Sequence, residues 1–451
     1  MIVLLTILTI WVLLIFALSI IDLKWGVVAF LAYLFLVPVG NLQFDTVKIG
    51  ENVVYTVFLV IYLYKTYRNQ YKIDYKPFIP FLVYYICILL EMPFQNGVGT
   101  STMLQLWRSN IQGILFLPFV MWNVIINDRS ALVLFRNTIL VCLAISLVYG
   151  LFLTTTGGIN PYVTMFFPLM DSGVEYYSDY YAVESGRVFG RISSVFLHPM
   201  TFFLFLGLSL LYIAIIRKKI SSTTKWLYII PILFLMVVGG VRTILVAMFV
   251  TIFVYLLQNK KVKYAFYSLF FFVAAYNVLS FFPELFSYVS SVSDVNSKDV
   301  SGSSIALRLR QLQGSMDISS DNPLFGLGHG WTSEYLRNKG SHPVCLHFES
   351  LLFMIICNYG FCGFIMWGVF IYLYIDGNKK YVRSSRILLN SLMVLYVSFS
   401  CITGEYGYMK YFLLFYVLML AEAEKKNLAL LLRLKESKID IREILCKKEK
   451  H

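Results

Sequence analysis

Long apolar segments recur along the chain from residue 1 to residue 420, with short polar connections between most of them. Hydrophobic residues make up 59% of the 451 residues and charged residues only 14%, whereas soluble globular proteins are about 45–50% apolar and about 25% charged. A soluble fold of this length has too little polar surface to cover such segments. The pattern excludes a soluble enzyme with a single membrane anchor and predicts an all-α, polytopic integral membrane helical bundle.

The apolar segments predict about 11 to 13 transmembrane helices, because a span needs about 20 apolar residues and several candidates are short. The first segment lacks a basic region and a small-residue cleavage site, so we interpret it as a retained span rather than a signal peptide. The candidate spans are 1–21, 25–40, 50–64, 77–92, 111–126, 131–153, 198–216, 226–240, 243–257, 264–282, 348–375, 387–402 and 408–421.

Lysine and arginine residues concentrate in short loops between the apolar segments, which indicates the cytoplasmic side. The net charge of +13 therefore reflects membrane topology and does not indicate nucleic-acid binding. With these loops inside, two long loops, residues 154–197 and 283–347, are expected outside the membrane. The basic segments are 65–76, 217–225, 258–263, 376–386 and the tail after residue 421.

The alternation of spans and long loops divides the chain into six predicted regions. The tail is expected to lie on the cytoplasmic lipid surface, because it alternates leucine with basic residues at helical spacing. The regions are 1–153 (N-terminal transmembrane helices), 154–197 (first long periplasmic loop), 198–282 (central transmembrane helices), 283–347 (large, partly helical periplasmic loop), 348–421 (C-terminal transmembrane helices) and 422–451 (basic cytoplasmic tail).

Histidine and cysteine, the commonest ligands of tightly bound transition metals, are few and scattered. Three of the five histidines, His329, His342 and His347, share the second long loop, but their spacing matches no usual metal-site pattern. We therefore predict no metal and no cofactor. No two of the seven cysteines have redox-motif spacing. A disulfide between Cys345 and Cys362 remains an alternative to free thiols.

The second long loop begins with an amphipathic helical pattern and continues into a glycine-rich run. On that helix Arg308 flanks the apolar stripe and Arg310 points away, so we expect Arg308 to face the membrane domain and Arg310 to face water. The run 326–330 is expected to form an exposed turn that carries His329. The apolar stripe consists of Ile305, Leu309, Leu312 and Met316.

Arginines near the predicted outer membrane boundary are candidates for binding an anion. Arg242 stands between two apolar segments, a position where an arginine usually faces a cavity or a partner. Guanidinium groups bind phosphate oxygens through paired hydrogen bonds and keep their charge. We expect Arg191, Arg242 and Arg308 to form a cationic pocket for a lipid-linked pyrophosphate. Arg187, four residues before Arg191, is a weaker member.

The order and sidedness of these motifs resemble the O-antigen polymerase and O-antigen ligase superfamily, whose members use undecaprenyl-pyrophosphate-linked glycans outside the inner membrane. The matching segments are Arg191 to Pro199, Gly240-Val241-Arg242-Thr243, and Arg308 with Asn322 to Gly328 and His347 in the second loop. The chain departs from the family pattern at two positions. Phe348 stands where asparagine commonly follows the histidine, and Val241 stands where serine commonly precedes the middle arginine.

The resemblance implies a metal-independent, inverting glycosyltransferase that acts on a lipid-linked donor. By this resemblance the four arginines would bind the pyrophosphate, and His347 would activate the acceptor hydroxyl as a base or orient that base. Histidine suits this role because its ordinary pKa is about 6.5. Glu349 is the second candidate for the base.

Each of these residues also has a purely structural alternative. Arg242 would then anchor the end of a span by reaching to the membrane interface. His347 would stand at a helix start with its ring bonded to a backbone carbonyl. Arg187 would pair with Glu184 or Glu175 in the first long loop.

Within this superfamily we predict a polymerase of surface polysaccharide, O-antigen or capsule, that joins lipid-linked repeat units on the periplasmic side. One alternative is the O-antigen ligase, which transfers the glycan to lipid A–core. Another is a lipid-linked oligosaccharide flippase, although the sequence lacks the repeated halves and mid-span charges that are usual in transporters. The expected partners are the undecaprenyl-pyrophosphate-linked glycan, the bilayer of the bacterial inner membrane, and a chain-length regulator or other polysaccharide-export proteins, without nucleic acid.

Overall fold

The computed structural model describes residues 2–38, 41–44, 47–156, 160–169, 190–279 and 305–424. Arg187 and the predicted tail beyond residue 424 lie outside these described residues. The helices are α1 (Ile2–Ile21), α2 (Leu23–Leu36), α3 (Glu51–Asn69), α4 (Ile79–Glu91), α5 (Thr100–Asn127), α6 (Ser130–Thr155), α7 (Pro161–Thr164), α8 (Pro199–Ile216), α9 (Ser222–Val238), α10 (Arg242–Gln258), α11 (Val262–Leu279), α12 (Ile305–Ile318), α13 (Trp331–Lys339), α14 (Leu351–Gly377), α15 (Arg383–Thr403) and α16 (408–424).

A short antiparallel hairpin connects α2 with α3. Its strands are β1 (Asn41–Phe44) and β2 (Val47–Gly50), and the register pairs Asn41 with Gly50. Single turns of 3-10 helix stand at four further places in the described chain, which are Lys76–Phe78, Met92–Phe94, Phe167–Leu169 and Asn378–Lys380.

Seven helical segments of the described residues are long and apolar enough to cross a membrane, and α2, α9 and α10 are shorter apolar helices. The chain is therefore a multi-pass helical membrane protein, which confirms the predicted fold class. The number of about 11 to 13 spans stays a prediction, because the shorter helices fall below the usual length of about 20 residues. The seven segments are Val3–Ile21, Lys76–Phe94, Thr100–Asn127, Ser130–Thr155, Pro199–Ile216, Leu351–Lys380 and Arg383–Thr403.

The last helix of the described residues, α16, lies at the centre of the bundle. Its residues from 411 to 423 are all buried, as expected for a helix that is apolar on every side. The ring of Phe415 lies 5.8 Å from that of Phe205 in α8 and 6.3 Å from that of Phe35 in α2. By contrast, α1 exposes large apolar side chains such as Ile10 and Leu13, which suits a helix that faces lipid.

We call the end of the bundle that carries α12 and α13 the loop end, and the opposite end, which carries the basic connection 217–221, the basic end. At the basic end α16 is held by a buried carboxylate. Glu422 pairs with Lys219 and lies 3.5 Å from Nη1 of Arg136 in α6. These ion pairs join α16 to two other parts of the bundle at that end.

At the loop end α14 is interrupted at Gly360, where φ is +59° and ψ is −146°. A loop of residues 322–330, which we call the inserted loop, pairs with this break through its backbone. The N–H groups of residues 327–328 donate to the carbonyls of residues 357–358 at 2.8 and 3.1 Å, and those of residues 361–362 donate to residues 323–324 at 2.9 Å. Backbone groups freed by the break thus find partners in the protein, as they must where water is absent.

Two glycines allow the inserted loop to approach α14 this closely. A Cβ atom on Gly360 would lie 2.4 Å from the carbonyl oxygen of Pro323, and one on Gly326 would lie 2.5 Å from the backbone nitrogen of Tyr359. Both glycines also have positive φ, which costs other residues free energy. The glycine-rich run is therefore part of the packed structure and not the exposed turn that was predicted.

Two residues of the predicted apolar stripe of α12, Leu309 and Met316, point away from the protein, contrary to the prediction. The side chains of Leu309 and Met316 are 62% and 55% exposed, whereas Gly314 and Ser315 are buried. A Cβ atom on Gly314 would lie 2.7 Å from the side chain of Val344, so the helix packs through its small residues. Close backbone approach on this face replaces burial of the larger apolar side chains.

Candidate active site

Arg308 of α12 points toward the ends of the membrane helices, while Arg310 is exposed. This is the predicted orientation of the two arginines, although Leu309 and Met316 of the stripe beside Arg308 are themselves exposed. Nη1 of Arg308 donates to the backbone carbonyl of Glu349 at 2.5 Å. Nη2 of Arg308 donates to Glu349 Oε2 and to the carbonyl of Ile402, each at 3.2 Å. Burial lowers the pKa of Arg308, and the Glu349 carboxylate opposes this shift. Arg308 is thus a cation fixed between α12, the start of α14 and the end of α15.

His347 lies in a tight turn that precedes α14. Its neighbours Leu346 and Phe348 have φ values of +50° and +54°, a conformation that costs non-glycine residues about 1–3 kcal/mol each. Phe348 is fully buried and its ring lies 5.8 Å from that of Trp331. Tyr406 donates its hydroxyl to the backbone carbonyl of His347. Within the described part of the chain, the His347 ring itself makes no hydrogen bond.

The start of α14 is capped by Ser350. Its Oγ accepts from the backbone N–H of Leu352 at 3.2 Å and donates to the carbonyl of Cys401 at 2.7 Å. His347 therefore does not cap this helix. The Glu349 side chain is about half exposed and is paired with Arg308.

The segments that carry Arg191 and Arg242 meet at one turn. The N–H of Ile192 donates to the carbonyl of Gly239 at 3.4 Å, and Arg242 is the first residue of α10. His198, the N-cap of α8, accepts from the N–H of Met200 through Nδ1 at 3.1 Å. The Arg191 charge lies close enough to the His198 ring to interact with it. Arg191 thus lies beside the start of α8.

Helix packing brings Arg242 toward the end of the bundle that holds Arg308. Helix α10 packs along α15, and a Cβ atom on Gly207 would lie 2.9 Å from Ile244 and 3.1 Å from Leu395. The start of α10 therefore packs beside the second half of α15, the helix whose residue Ile402 binds Arg308. Three of the four predicted arginines lie at the loop end, and Arg187 lies outside the described residues.

The turn between α15 and α16 contributes residues that the sequence reasoning missed. Glu405 accepts from the Tyr396 hydroxyl at 2.8 Å and from the N–H of Met409 at 3.1 Å, and burial raises its pKa. Tyr406 reaches the backbone of His347. The signal in the sequence is a charged residue and a tyrosine between two glycines, Gly404 and Gly407, at the junction of two spans.

His329 is buried, contrary to the expectation of an exposed turn. Its Nδ1 lies 2.5 Å from the hydroxyl of Tyr359, and its Nε2 lies 3.2 Å from Nδ2 of Asn110. Gln95 accepts from the backbone N–H of His329 at 3.1 Å and donates to the carbonyl of Phe325 at 2.9 Å. Burial lowers the pKa of His329 to about 4. These contacts fix the inserted loop in the bundle.

Cys345 and Cys362 are both free thiols, so the alternative of a disulfide between them is wrong. In the described part of the chain, no three histidine, cysteine, aspartate or glutamate side chains are grouped so that they could hold a metal ion.

Residues 227–368 match a family model described as O-antigen ligase. The matched region begins within α9 and ends within α14, whereas Arg191 and the turn 404–407 lie outside it. No curated protein matches the chain. Among the predicted site residues, the matched region contains Arg242, Arg308, His347 and Glu349.

This match covers most of the segment in which the order of motifs carries the resemblance. It implies an enzyme of the glycosyltransferase kind. The match of residues 227–368 to the O-antigen ligase family model confirms the resemblance of the chain to the O-antigen polymerase and O-antigen ligase superfamily.

Proposed function

We propose that this protein is a polymerase of surface polysaccharide, O-antigen or capsule. It transfers an undecaprenyl-pyrophosphate-linked glycan onto another lipid-linked repeat unit, on the periplasmic side of the bacterial inner membrane. The observation that carries the proposal is the grouping of Arg308, Glu349 and His347 at the ends of membrane helices. All three residues stand in the region that matches the O-antigen ligase family.

The proposed reaction forms a bond between the acceptor oxygen and the anomeric carbon of the donor sugar. The bond from that carbon to the pyrophosphate breaks, and its electron pair leaves with undecaprenyl pyrophosphate. His347 takes the proton of the acceptor hydroxyl, and attack from the opposite face inverts the anomeric centre. No metal is required in this scheme, because arginines at the membrane boundary stabilise the charge that develops on the leaving group.

Arg308, Arg242 and Arg191 are proposed to bind the pyrophosphate, with Arg187 as a weaker member. Arg308 is paired with Glu349 at 3.2 Å, so a pyrophosphate has to compete with that carboxylate for the guanidinium group. The pairing offsets the charge of Arg308 until an anionic lipid arrives. Glu349 is the second candidate for the base, and release from Arg308 would free its carboxylate.

The ligase, which transfers a finished chain to lipid A–core, is the alternative favoured by the description of the matching family as O-antigen ligase. A flippase for lipid-linked oligosaccharides is the alternative from another class. The lipid-linked glycan and the bilayer are the proposed partners, together with a chain-length regulator or other polysaccharide-export proteins.

The test is a strain that lacks the gene. Its surface glycan is run on a gel beside an extract of its lipid-linked intermediates. We expect an acceptor that carries one repeat unit and no ladder of longer chains. A bare acceptor with long chains on undecaprenyl pyrophosphate would instead identify the ligase. Single units held on the cytoplasmic side would identify a flippase and overturn the proposed site.

A further inference from the structure

The last residues of α15 and the turn that joins it to α16 contact both candidate catalytic elements. We call this segment, residues 402–407, the positioning turn. The carbonyl of Ile402 accepts from Arg308 at 3.2 Å. Tyr406 donates its hydroxyl to the carbonyl of His347, and it also lies close enough to Arg308 to interact with its charge. One short segment therefore holds the proposed cation and the backbone of the proposed base.

We propose that the positioning turn sets the placement of His347 relative to Arg308, with Tyr406 as a positioning residue for the reaction. This inference rests on the proposed function, because it gives Tyr406 a role only if His347 acts in glycan transfer. Tyr406 acts through the backbone of His347 and does not touch the reacting atoms.

The positioning turn is itself held in place by packing and by hydrogen bonds. Gly404 has a φ of +87°, and a Cβ atom on it would lie 2.7 Å from the Tyr406 ring and 3.1 Å from the carbonyl oxygen of Phe348. Glu405 is bound on one side by Tyr396 and on the other by Met409. The turn is thus packed against the His347 segment and tied to both helices that it connects.

The His347 segment needs rigid neighbours because its backbone is strained. Leu346 and Phe348 both have positive φ, and a strained conformation persists only where its surroundings enforce it. The burial of Phe348 holds one side of His347, and the Tyr406 hydroxyl holds its carbonyl. Without the hydroxyl the segment can relax, and a displacement of about 1 Å can lower a rate about a hundredfold.

The family match does not predict this role. Tyr406 lies beyond the matched residues 227–368, on a turn between two spans. The contact arises because α15 ends beside the start of α14, as the bond from Ser350 to the carbonyl of Cys401 shows.

The first experiment is a double-mutant cycle with the full-length protein in membranes. The probe is the lipid-linked glycan extracted from the deletion strain, and the variants are Tyr406→Phe, His347→Ala and both together. We expect Tyr406→Phe to lower kcat about ten- to a hundredfold while KM changes little. In the His347→Ala background the same change should have no further effect, because Tyr406 acts through His347.

Additive losses in the two variants would overturn the positioning role and leave the assignment of His347 as the base in place. A fully active His347→Ala would overturn both.

The second experiment does not depend on a residual rate. Amide hydrogen exchange in peptides that contain residues 346–350 should be faster in Tyr406→Phe than in the wild-type protein. The matched control is Tyr335→Phe, since Tyr335 lies in the same region, with its ring 6.2 Å from that of Phe348, and its hydroxyl makes no hydrogen bond within the described residues. Unchanged exchange in Tyr406→Phe, or an equal increase in the control, would contradict the proposal.

Discussion

At the residue scale, the loop end is built around a cation that already has partners. Arg308 is bound by a carboxylate and by the backbone carbonyls of Glu349 and Ile402. A guanidinium group in this position keeps its charge despite burial, because its ordinary pKa is above about 12. The arrangement fixes the direction of the group before any ligand binds, which lowers the entropy cost of binding a phosphate.

Replacing Arg308 with alanine should abolish product formation while the protein stays in the membrane. The expected loss is about a hundredfold or more, because a preorganised donor to a developing negative charge is removed. The measurement is the polysaccharide ladder in the complemented deletion strain, with membrane levels checked by immunoblot. Arg310→Ala is the matched control on the same helix, and we expect it to be active because Arg310 is exposed. An active Arg308→Ala would remove this residue from the proposed pyrophosphate site.

At the scale of the elements, the inserted loop and the break in α14 form one unit. Each supplies the backbone hydrogen bonds that the other lacks. Buried backbone groups without partners are costly, so neither conformation is expected to persist without the other. The Gln95 side chain adds a second tie between this unit and the connection from α4 to α5.

Gly360→Ala should therefore destabilise the protein more than a glycine replacement elsewhere in the same helix. The added Cβ would lie 2.4 Å from the carbonyl of Pro323, in a backbone conformation that only glycine adopts readily. The strain alone is about 1–3 kcal/mol. Gly368→Ala is the control, since a Cβ on Gly368 meets nothing within 4 Å. The midpoint of thermal unfolding in detergent should fall for Gly360→Ala only, and equal midpoints would contradict the described contact.

The inserted loop should loosen in acid. Burial lowers the pKa of His329 to about 4, below its ordinary value of about 6.5. The detached loop therefore binds a proton more readily, so the stability of the docked state is fully present above about pH 6.5 and is lost as the pH falls toward about 4. Amide exchange in residues 323–330, corrected for its intrinsic pH dependence, should rise in this interval. In His329→Gln that rise should disappear; if it persists, another group is responsible.

The sequence predicts the local features well and the long-range ones poorly. The spans follow from composition. The predicted orientation of Arg308 agrees with the structure, but the stripe beside it does not pack as predicted, because α12 packs through small residues. The break at Gly360 depends on pairing with a loop more than thirty residues earlier, which no local pattern reveals. For the same reason Tyr406 was missed as a neighbour of His347, and His329 was predicted to be exposed.

At the scale of the whole molecule, α16 connects the two ends of the bundle. It follows the positioning turn directly, and near its other end Glu422 is buried and paired with Lys219 and Arg136. Between these points its side chains form the centre of the core. A change at the basic end is therefore expected to affect the stability of the whole bundle.

Glu422→Ala should lower the stability of the protein by about 1–3 kcal/mol, because it removes the buried carboxylate that Arg136 and Lys219 share. The control is Asp376→Ala, which removes an exposed pair with Lys379 and should have little effect. Thermal unfolding of the purified protein in detergent measures both. If the two variants have the same midpoint of thermal unfolding, the buried cluster does not hold α16 in place.

The pairing of the inserted loop with α14 also bears on the order in which the protein can be assembled. The partners of this loop come from the connection between α4 and α5 and from α14, which is made later than the loop. The loop therefore cannot reach its final conformation until α14 has entered the bilayer, and until then its glycine-rich backbone stays solvated. For the same reason the segment that carries α12 and α13 is not expected to fold when it is expressed without the membrane helices.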